Sequence, residues 1–173
     1  ASERLPVFVN IHGGAFFTGS YSGTQDSFVN NGIVYCSIAY RLGAFGFMAH
    51  PEAAKESEHG IAGNYGLMDQ IMALQWIHDN ISRFGGDPDN VTICGESAGG
   101  ISVSILCASP LCKGLFRRAI CESGGNLLPI RTSAVSVCGS AQDATYARSI
   151  GLEFQKALGC KNLKQMRRLP AEA

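Results

Sequence analysis

A serine between two glycines lies in the run Gly95-Glu96-Ser97-Ala98-Gly99. The residues before it, Val91 to Cys94, are β-formers, and those after Gly100 suit a buried helix. This G-x-S-x-G spacing between a strand and a helix is typical of a serine presented at a sharp, strained turn, where the glycines leave room for the bend. We therefore predict that Ser97 is a catalytic nucleophile. The residues predicted to shape its turn are Gly95, Glu96 and Gly99.

A pair of glycines follows the apolar run at residues 5–11, which is predicted to be a buried strand. Adjacent glycines at such a position permit close approach of the backbone and leave amides free to point at a ligand. An acyl-transfer site with a serine nucleophile needs such donors where the oxyanion of the tetrahedral intermediate forms. The amides predicted to form this oxyanion hole are those of Gly14, Ala15 and Ala98, with Gly13 in support. A plain β-turn is the alternative at residues 14 and 15.

The elements that position these residues alternate along the chain. Strands are predicted at residues 5–11, 33–39, 91–94 and 118–122, and apolar residues three and four apart indicate a helix over 67–84. Helices that separate strands favour a mostly parallel α/β sheet. The stretch 50–66 is predicted to be a loop, and 147–158 an amphipathic helix.

Charge divides the sequence into two parts. Residues 131–173 carry seven Lys and Arg against three Asp and Glu, whereas residues 1–130 carry seven against eleven. We interpret 1–130 as a partial α/β core that contains the glycine loop and the serine turn. Residues 131–173 are interpreted as the start of a helical insertion or cap.

Composition excludes several classes of function. The net charge is zero, and no basic cluster is interleaved with aromatic residues, which disfavours nucleic acid and anionic membranes as partners. Seven cysteines without a C-x-x-C pair argue against a zinc ribbon, and no run is long and apolar enough to cross a membrane. No metal and no organic cofactor is predicted. The sequence does not indicate the oligomeric state, and both secreted and cytoplasmic locations fit it.

Several motifs together resemble the type B carboxylesterases, the cholinesterase-like branch of the α/β-hydrolases. The serine signature of that family matches from Phe84 to Gly99. Further landmarks that resemble the family are His12-Gly13-Gly14-Ala15-Phe16, Tyr40-Arg41-Leu42-Gly43, the run from Gly63 to Gln70, and Ser123-Gly124. The resemblance implies an α/β-hydrolase fold and hydrolysis of small-molecule carboxylic esters by a Ser-Glu/Asp-His triad.

The family places its acid and its histidine after the serine, yet all four histidines here precede Ser97. We therefore expect an incomplete hydrolase fold, the N-terminal to central part of an esterase, that is inactive on its own. His12 is predicted to anchor the glycine loop rather than to act as a base. Arg41 and Asp69 are predicted to be structural residues under the loops.

Other interpretations remain open at the sequence level. Glu96 is predicted to be buried and hydrogen-bonded, although its place beside the serine also suggests catalysis. The aromatic residues that either line a substrate pocket or simply pack are Phe16, Phe17, Phe45 and Phe47. For the whole molecule, the alternative to an enzyme is a non-catalytic, esterase-like binding or adhesion module.

Overall fold

The computed structural model describes residues 4–21, 25–124 and 144–172. The strands in these ranges are β1 (Leu5–Ile11), β2 (Val34–Ile38), β3 (Gly86–Glu96) and β4 (Arg118–Glu122). They form one sheet in the order β2-β1-β3-β4, and every neighbouring pair is parallel. The predicted parallel α/β sheet is confirmed.

Helices lie between the strands in sequence. The α-helices of the described ranges are α1 (Asp26–Val29), α2 (Gly43–Phe47), α3 (Pro51–Glu56), α4 (Tyr65–Asn80), α5 (Ala98–Ala108), α6 (Ala144–Ala157) and α7 (Leu163–Met166). Short 3-10 turns follow α4 at Ile81–Phe84 and α5 at Pro110–Cys112. None of these helices is long and apolar enough to cross a bilayer.

The core forms around the two central strands. Alternate residues of β1, Val7, Val9 and Ile11, are fully buried, and they join Val91 and Ile93 of β3 in one apolar cluster. Helices α4 and α5 contribute to the same cluster. This cluster fixes where β1 and β3 end, which are the two places where the glycine loop and the serine turn begin.

The stretch 50–66 was predicted to be a loop, and this is wrong because α3 occupies Pro51–Glu56. The His50 ring begins the helix: its Nδ1 accepts a hydrogen bond from the Glu52 amide at 3.2 Å, and Pro51 occupies the first turn. Histidine is not among the usual N-cap residues, so this helix start had no strong signal in the sequence. The predicted helix 67–84 begins earlier, at Tyr65, and tightens into a 3-10 turn at Ile81.

The helices after residue 144 pack on the segment around α3. The fully buried His50 pairs through Nε2 with Gln155 Oε1 at 2.9 Å, and the Leu163 amide donates to Glu52 Oε2 at 2.9 Å. Gly151 lies against the Ala49 carbonyl so closely that a β-carbon would overlap it, which explains a glycine inside α6. The predicted change of character at residues 130–131 lies outside the described residues.

Candidate active site

Ser97 occupies the sharp turn between β3 and α5. Its backbone has φ +56° and ψ −120°, a conformation that residues with a side chain rarely adopt and that costs about 1–3 kcal/mol. Two hydrogen bonds hold the turn: the Ser97 amide donates to the Glu122 carbonyl at 2.9 Å, and the Ile101 amide donates to the Ser97 carbonyl at 2.9 Å. The neighbouring strand β4 and the first turn of α5 therefore keep the serine in its strained conformation.

Glycines make the turn sterically possible. A β-carbon on Gly95 would overlap the backbone of Gly99, and a β-carbon on Gly99 would overlap the Ile11 carbonyl oxygen at the end of β1. A β-carbon on Gly100 would lie 2.5 Å from the Glu122 carbonyl oxygen. Since real β-carbons do not approach backbone atoms so closely, the start of α5 can reach the sheet only with glycine at these positions.

The glycine loop lies directly beside the serine. A β-carbon built on Gly13 would be 3.3 Å from Ser97 Cβ and 2.7 Å from the Glu96 carbonyl oxygen. The structure thus brings together two motifs that are 84 positions apart in the sequence. Both follow central, adjacent strands, and the carboxyl ends of parallel strands meet at one edge of a sheet.

The glycine loop adopts an unusual backbone. Gly14, Ala15 and Phe16 all have positive φ, at +108°, +54° and +63°. The amides of Phe17 and Thr18 both donate to the Gly14 carbonyl, each at 3.0 Å. Between described residues, no hydrogen bond has the amide of Gly14 or Ala15 as its donor. The amide of Ala98, the first residue of α5, likewise donates no hydrogen bond to any other described residue, so the amides of Gly14, Ala15 and Ala98 have no partner within the described ranges.

No described residue is placed to activate the serine. Among hydrogen bonds within the described ranges, none involves Ser97 Oγ, and the ring of His12 is engaged elsewhere. Its Nδ1 donates to the Gly13 carbonyl at 2.8 Å, and the ring stacks on Tyr40 with centroids 4.4 Å apart. His50 is buried beside Gln155, while His59 and His78 are exposed or nearly so. The contacts of His12 agree with its predicted anchoring of the loop.

The prediction that Glu96 is buried and hydrogen-bonded is wrong. Its side chain is exposed, and its carboxylate accepts no hydrogen bond from any described residue. Glu96 is the last residue of β3, where the alternation of the strand points its side chain away from the core beside the exposed strand β4. Its Oε2 lies near Gly13, 3.3 Å from where a β-carbon there would be.

Arg41 and Asp69 form the predicted structural pair. The Arg41 guanidinium donates from Nε to Asp69 Oδ2 and from one terminal nitrogen to Oδ1, both at 2.7 Å, and its backbone amide donates to Oδ2 at 3.0 Å. The side-chain hydrogen bonds from Arg41 lower the pKa of the Asp69 carboxyl, against a smaller opposing effect of desolvation. These hydrogen bonds connect the chain after β2 to the first turns of α4.

The four aromatic residues divide into two pairs. Phe16 and Phe47 are buried and pack on each other with centroids 4.8 Å apart, whereas Phe17 and Phe45 are 53% and 65% exposed. Phe45 lines a cavity of about 540 Å³ between the region of α2 and α3 and the C-terminal helices. Neither Ser97 nor the glycine loop lines that cavity, so it is separate from the candidate active site.

Tyr40 had no predicted role of its own, yet this residue contacts the glycine loop. Its hydroxyl donates to the His12 carbonyl at 2.8 Å, and burial raises its pKa to about 12. The hydroxyl therefore remains a donor throughout the neutral range. Among the described residues, no cluster of His, Cys, Asp or Glu could hold a metal ion.

Comparison with known proteins identifies the family to which this geometry belongs. The model of the carboxylesterase family matches residues 1–172. The chain belongs to the carboxylesterase family. This family member is 46% identical over 140 residues to the para-nitrobenzyl esterase of Bacillus subtilis, an overlap of 78% of this chain and 28% of the relative. It is 53% identical over 128 residues to liver carboxylesterase 1 of Oryctolagus cuniculus, an overlap of 72% of this chain and 21% of the relative.

Solved carboxylesterase structures show the same fold. The chain superimposes on a carboxylesterase of Geobacillus stearothermophilus with a TM-score of 0.84 at 36% identity, covering 99% of this chain and 35% of that one. Its fold is therefore the predicted α/β-hydrolase fold, of which these residues form a part. The relatives are much longer than this chain. The chain spans 28% of the length of the Bacillus subtilis esterase and 21% of the length of liver carboxylesterase 1.

Proposed function

We propose that the native protein containing this sequence hydrolyses small-molecule carboxylic esters through an acyl-enzyme on Ser97. The observation that carries the proposal is the placement of Ser97, at φ +56°, against Gly13 of a loop in which the amides of Gly14 and Ala15 donate to no described residue. A strained serine is retained where its hydroxyl must be presented at a fixed point. The relatives named as esterases support the same reaction class.

The reaction proceeds in two halves. Ser97 Oγ attacks the ester carbonyl carbon as its proton passes to a general base, and the carbonyl oxygen becomes a tetrahedral oxyanion. The amides of Gly14, Ala15 and Ala98 donate hydrogen bonds to that oxyanion. The alcohol then leaves with the proton from the base, and water attacks the acyl-serine by the same route to release the acid and restore the serine. Each donor contributes about 3–4 kcal/mol to transition-state stabilisation.

The proposal requires a general base from outside these 173 residues. No histidine follows Ser97 in the sequence, and His12, the histidine next to the glycine loop, contacts the Gly13 carbonyl and Tyr40. A serine hydroxyl without a base is a weak nucleophile. We therefore expect residues 1–173 alone to show no Ser97-dependent turnover.

The proposed substrates are uncharged or weakly polar esters. Two relatives are named as a para-nitrobenzyl esterase and a fumonisin B1 esterase, so the relatives do not point to one substrate. The proposal is therefore limited to the ester bond and to the residues that act on it. No metal or organic cofactor enters the steps.

The test measures turnover of para-nitrophenyl acetate and butyrate by the native protein and by its Ser97→Ala variant. We expect the substitution to lower kcat by at least about 10⁴-fold. The matched control is Ser82→Ala, which removes an exposed hydroxyl from the 3-10 turn after α4 and leaves turnover unchanged. Turnover that survives Ser97→Ala would refute the proposal. A native protein without any turnover would favour the non-catalytic binding module instead.

A further inference from the structure

The backbone that carries the proposed oxyanion donors is held at its beginning by Tyr40. This side chain is only 7% exposed, and its hydroxyl donates to the His12 carbonyl oxygen at 2.8 Å. The ring of Tyr40 also stacks nearly parallel on the His12 ring, with an interplanar angle of 14°. Because the His12 carbonyl shares a rigid peptide plane with the Gly13 amide, this hydrogen bond sets the orientation from which the loop starts.

The same part of the chain holds the other end of the loop. The Gly43 amide donates to the Phe16 carbonyl at 2.7 Å, and the Phe47 ring packs on the Phe16 ring. Residues 40–47 therefore contact the loop of residues 12–16 at both of its ends. The amides of Gly14 and Ala15 lie between these two points of contact. Three consecutive positive φ angles in the loop are strained for the two residues with side chains, and such strain persists only where surrounding contacts enforce it.

The segment of residues 40–47 is itself fixed to the core. Arg41, next to Tyr40, makes two side-chain hydrogen bonds and one backbone hydrogen bond to Asp69 of α4. Tyr40 also meets the buried Phe47 edge-on, with centroids 6.5 Å apart. These contacts give the Tyr40 hydroxyl a defined position. Its hydrogen bond therefore holds the His12 carbonyl, and with it the start of the loop, in a defined position.

We infer that Tyr40 is a positioning residue, which holds the Gly14 and Ala15 amides where the oxyanion of the tetrahedral intermediate forms. The inference rests on the proposed function, since it concerns the same site. Donors act on an oxyanion only within about 2.7–3.1 Å. Loss of one hydrogen bond that fixes them is expected to lower kcat about tenfold. KM should remain within about twofold, because the neutral ester gains little from these donors before attack.

The test compares Tyr40→Phe with Tyr21→Phe in the native protein. The first keeps the stacked ring and removes only the hydroxyl, while the second removes the hydroxyl of a tyrosine that is 65% exposed. Active sites are counted by titration with a fluorophosphonate, so that a smaller folded fraction does not lower the apparent kcat. We expect kcat per titrated site to fall about tenfold in Tyr40→Phe alone. Affinity for a trifluoromethyl ketone, which forms an oxyanion-bearing adduct, should fall in parallel.

Hydrogen exchange supplies a readout that does not depend on activity. The amides of Phe17 and Thr18 are protected by the Gly14 carbonyl, so a peptide spanning residues 12–18 reports the opening of the loop. Its exchange should be faster in Tyr40→Phe and unchanged in Tyr21→Phe. If Tyr40→Phe leaves the exchange unchanged, or leaves kcat per site unchanged while turnover depends on Ser97, the role of Tyr40 is refuted and the proposed function stands. Wild-type turnover that does not depend on Ser97 would instead refute the proposed function, and this role with it.

Discussion

Gly99 lies against the Ile11 carbonyl oxygen with no room for a β-carbon between them. The contact joins the first turn of α5 to the end of β1, and each of these elements leads into one half of the candidate site. Ser97 precedes Gly99 by two residues, and Gly13 follows Ile11 by two. The distance between the serine and the glycine loop is therefore set by a backbone contact that only glycine permits.

Gly99→Ala is predicted to destabilise the protein by about 3 kcal/mol, because α5 must move away from β1 to admit the methyl group. Gly60→Ala is the control: Gly60 has φ +66° but open space around it, so only the backbone strain of about 1 kcal/mol remains. Urea unfolding measures both variants. Equal losses would show that the close approach of α5 to β1 has no energetic consequence.

Ser97→Gly is predicted to raise the free energy of unfolding by about 1 kcal/mol, since glycine adopts positive φ without the steric strain of serine. Ser97→Ala keeps the β-carbon and should leave stability nearly unchanged, while both variants lose the nucleophile. Because both variants lack the hydroxyl, the difference between their thermal unfolding midpoints reports the backbone strain alone. Identical midpoints would contradict the strain assigned to the turn.

Asp69→Asn is predicted to lower stability by about 1 kcal/mol at neutral pH, a value kept small because the pair is partly exposed. The pKa of the Asp69 carboxyl is lowered in the folded protein, so its contribution is present above the unfolded pKa of about 4. It is lost as pH falls through the folded pKa. The difference from wild type should thus vanish in acid. A difference that persists at pH 2 would contradict this account of the pair.

Tyr40→Phe is predicted to remove part of the alkaline destabilisation of the protein. Burial raises the pKa of Tyr40 to about 12 in the folded state, against about 10 when unfolded. The unfolded state therefore loses its proton first, and stability falls by about 1 kcal/mol per pH unit above pH 10. The stability advantage of wild type over Tyr40→Phe should shrink between pH 10 and pH 12. An advantage that is constant over that range would show that the hydroxyl titrates normally.

The parts of the site that could be predicted from the sequence are those with local signals. Strand, G-x-S-x-G turn and helix occur in one continuous stretch, and the glycine pair directly follows a buried strand. Both predictions needed only the alternation of apolar residues and the backbone freedom of glycine. The strand order that brings both motifs to one edge of the sheet was not predicted.

The parts that could not be predicted depend on contacts between distant segments. Helix α3 begins with the His50 ring as its cap, and that buried ring forms a hydrogen bond with Gln155 of α6. Tyr40 reaches the His12 carbonyl across 28 positions of sequence. None of these relationships has a periodic signature.

Covalent labelling of the native protein tests the central claim most directly. A fluorophosphonate reacts with a serine whose hydroxyl is activated and whose adduct oxygen is stabilised by an oxyanion hole. Peptide mass spectrometry is predicted to find the adduct on Ser97, with loss of ester turnover in proportion to labelling and no adduct in Ser97→Ala. Complete inhibition with the label on a different residue, and Ser97 unmodified, would contradict the assignment of Ser97 as the nucleophile.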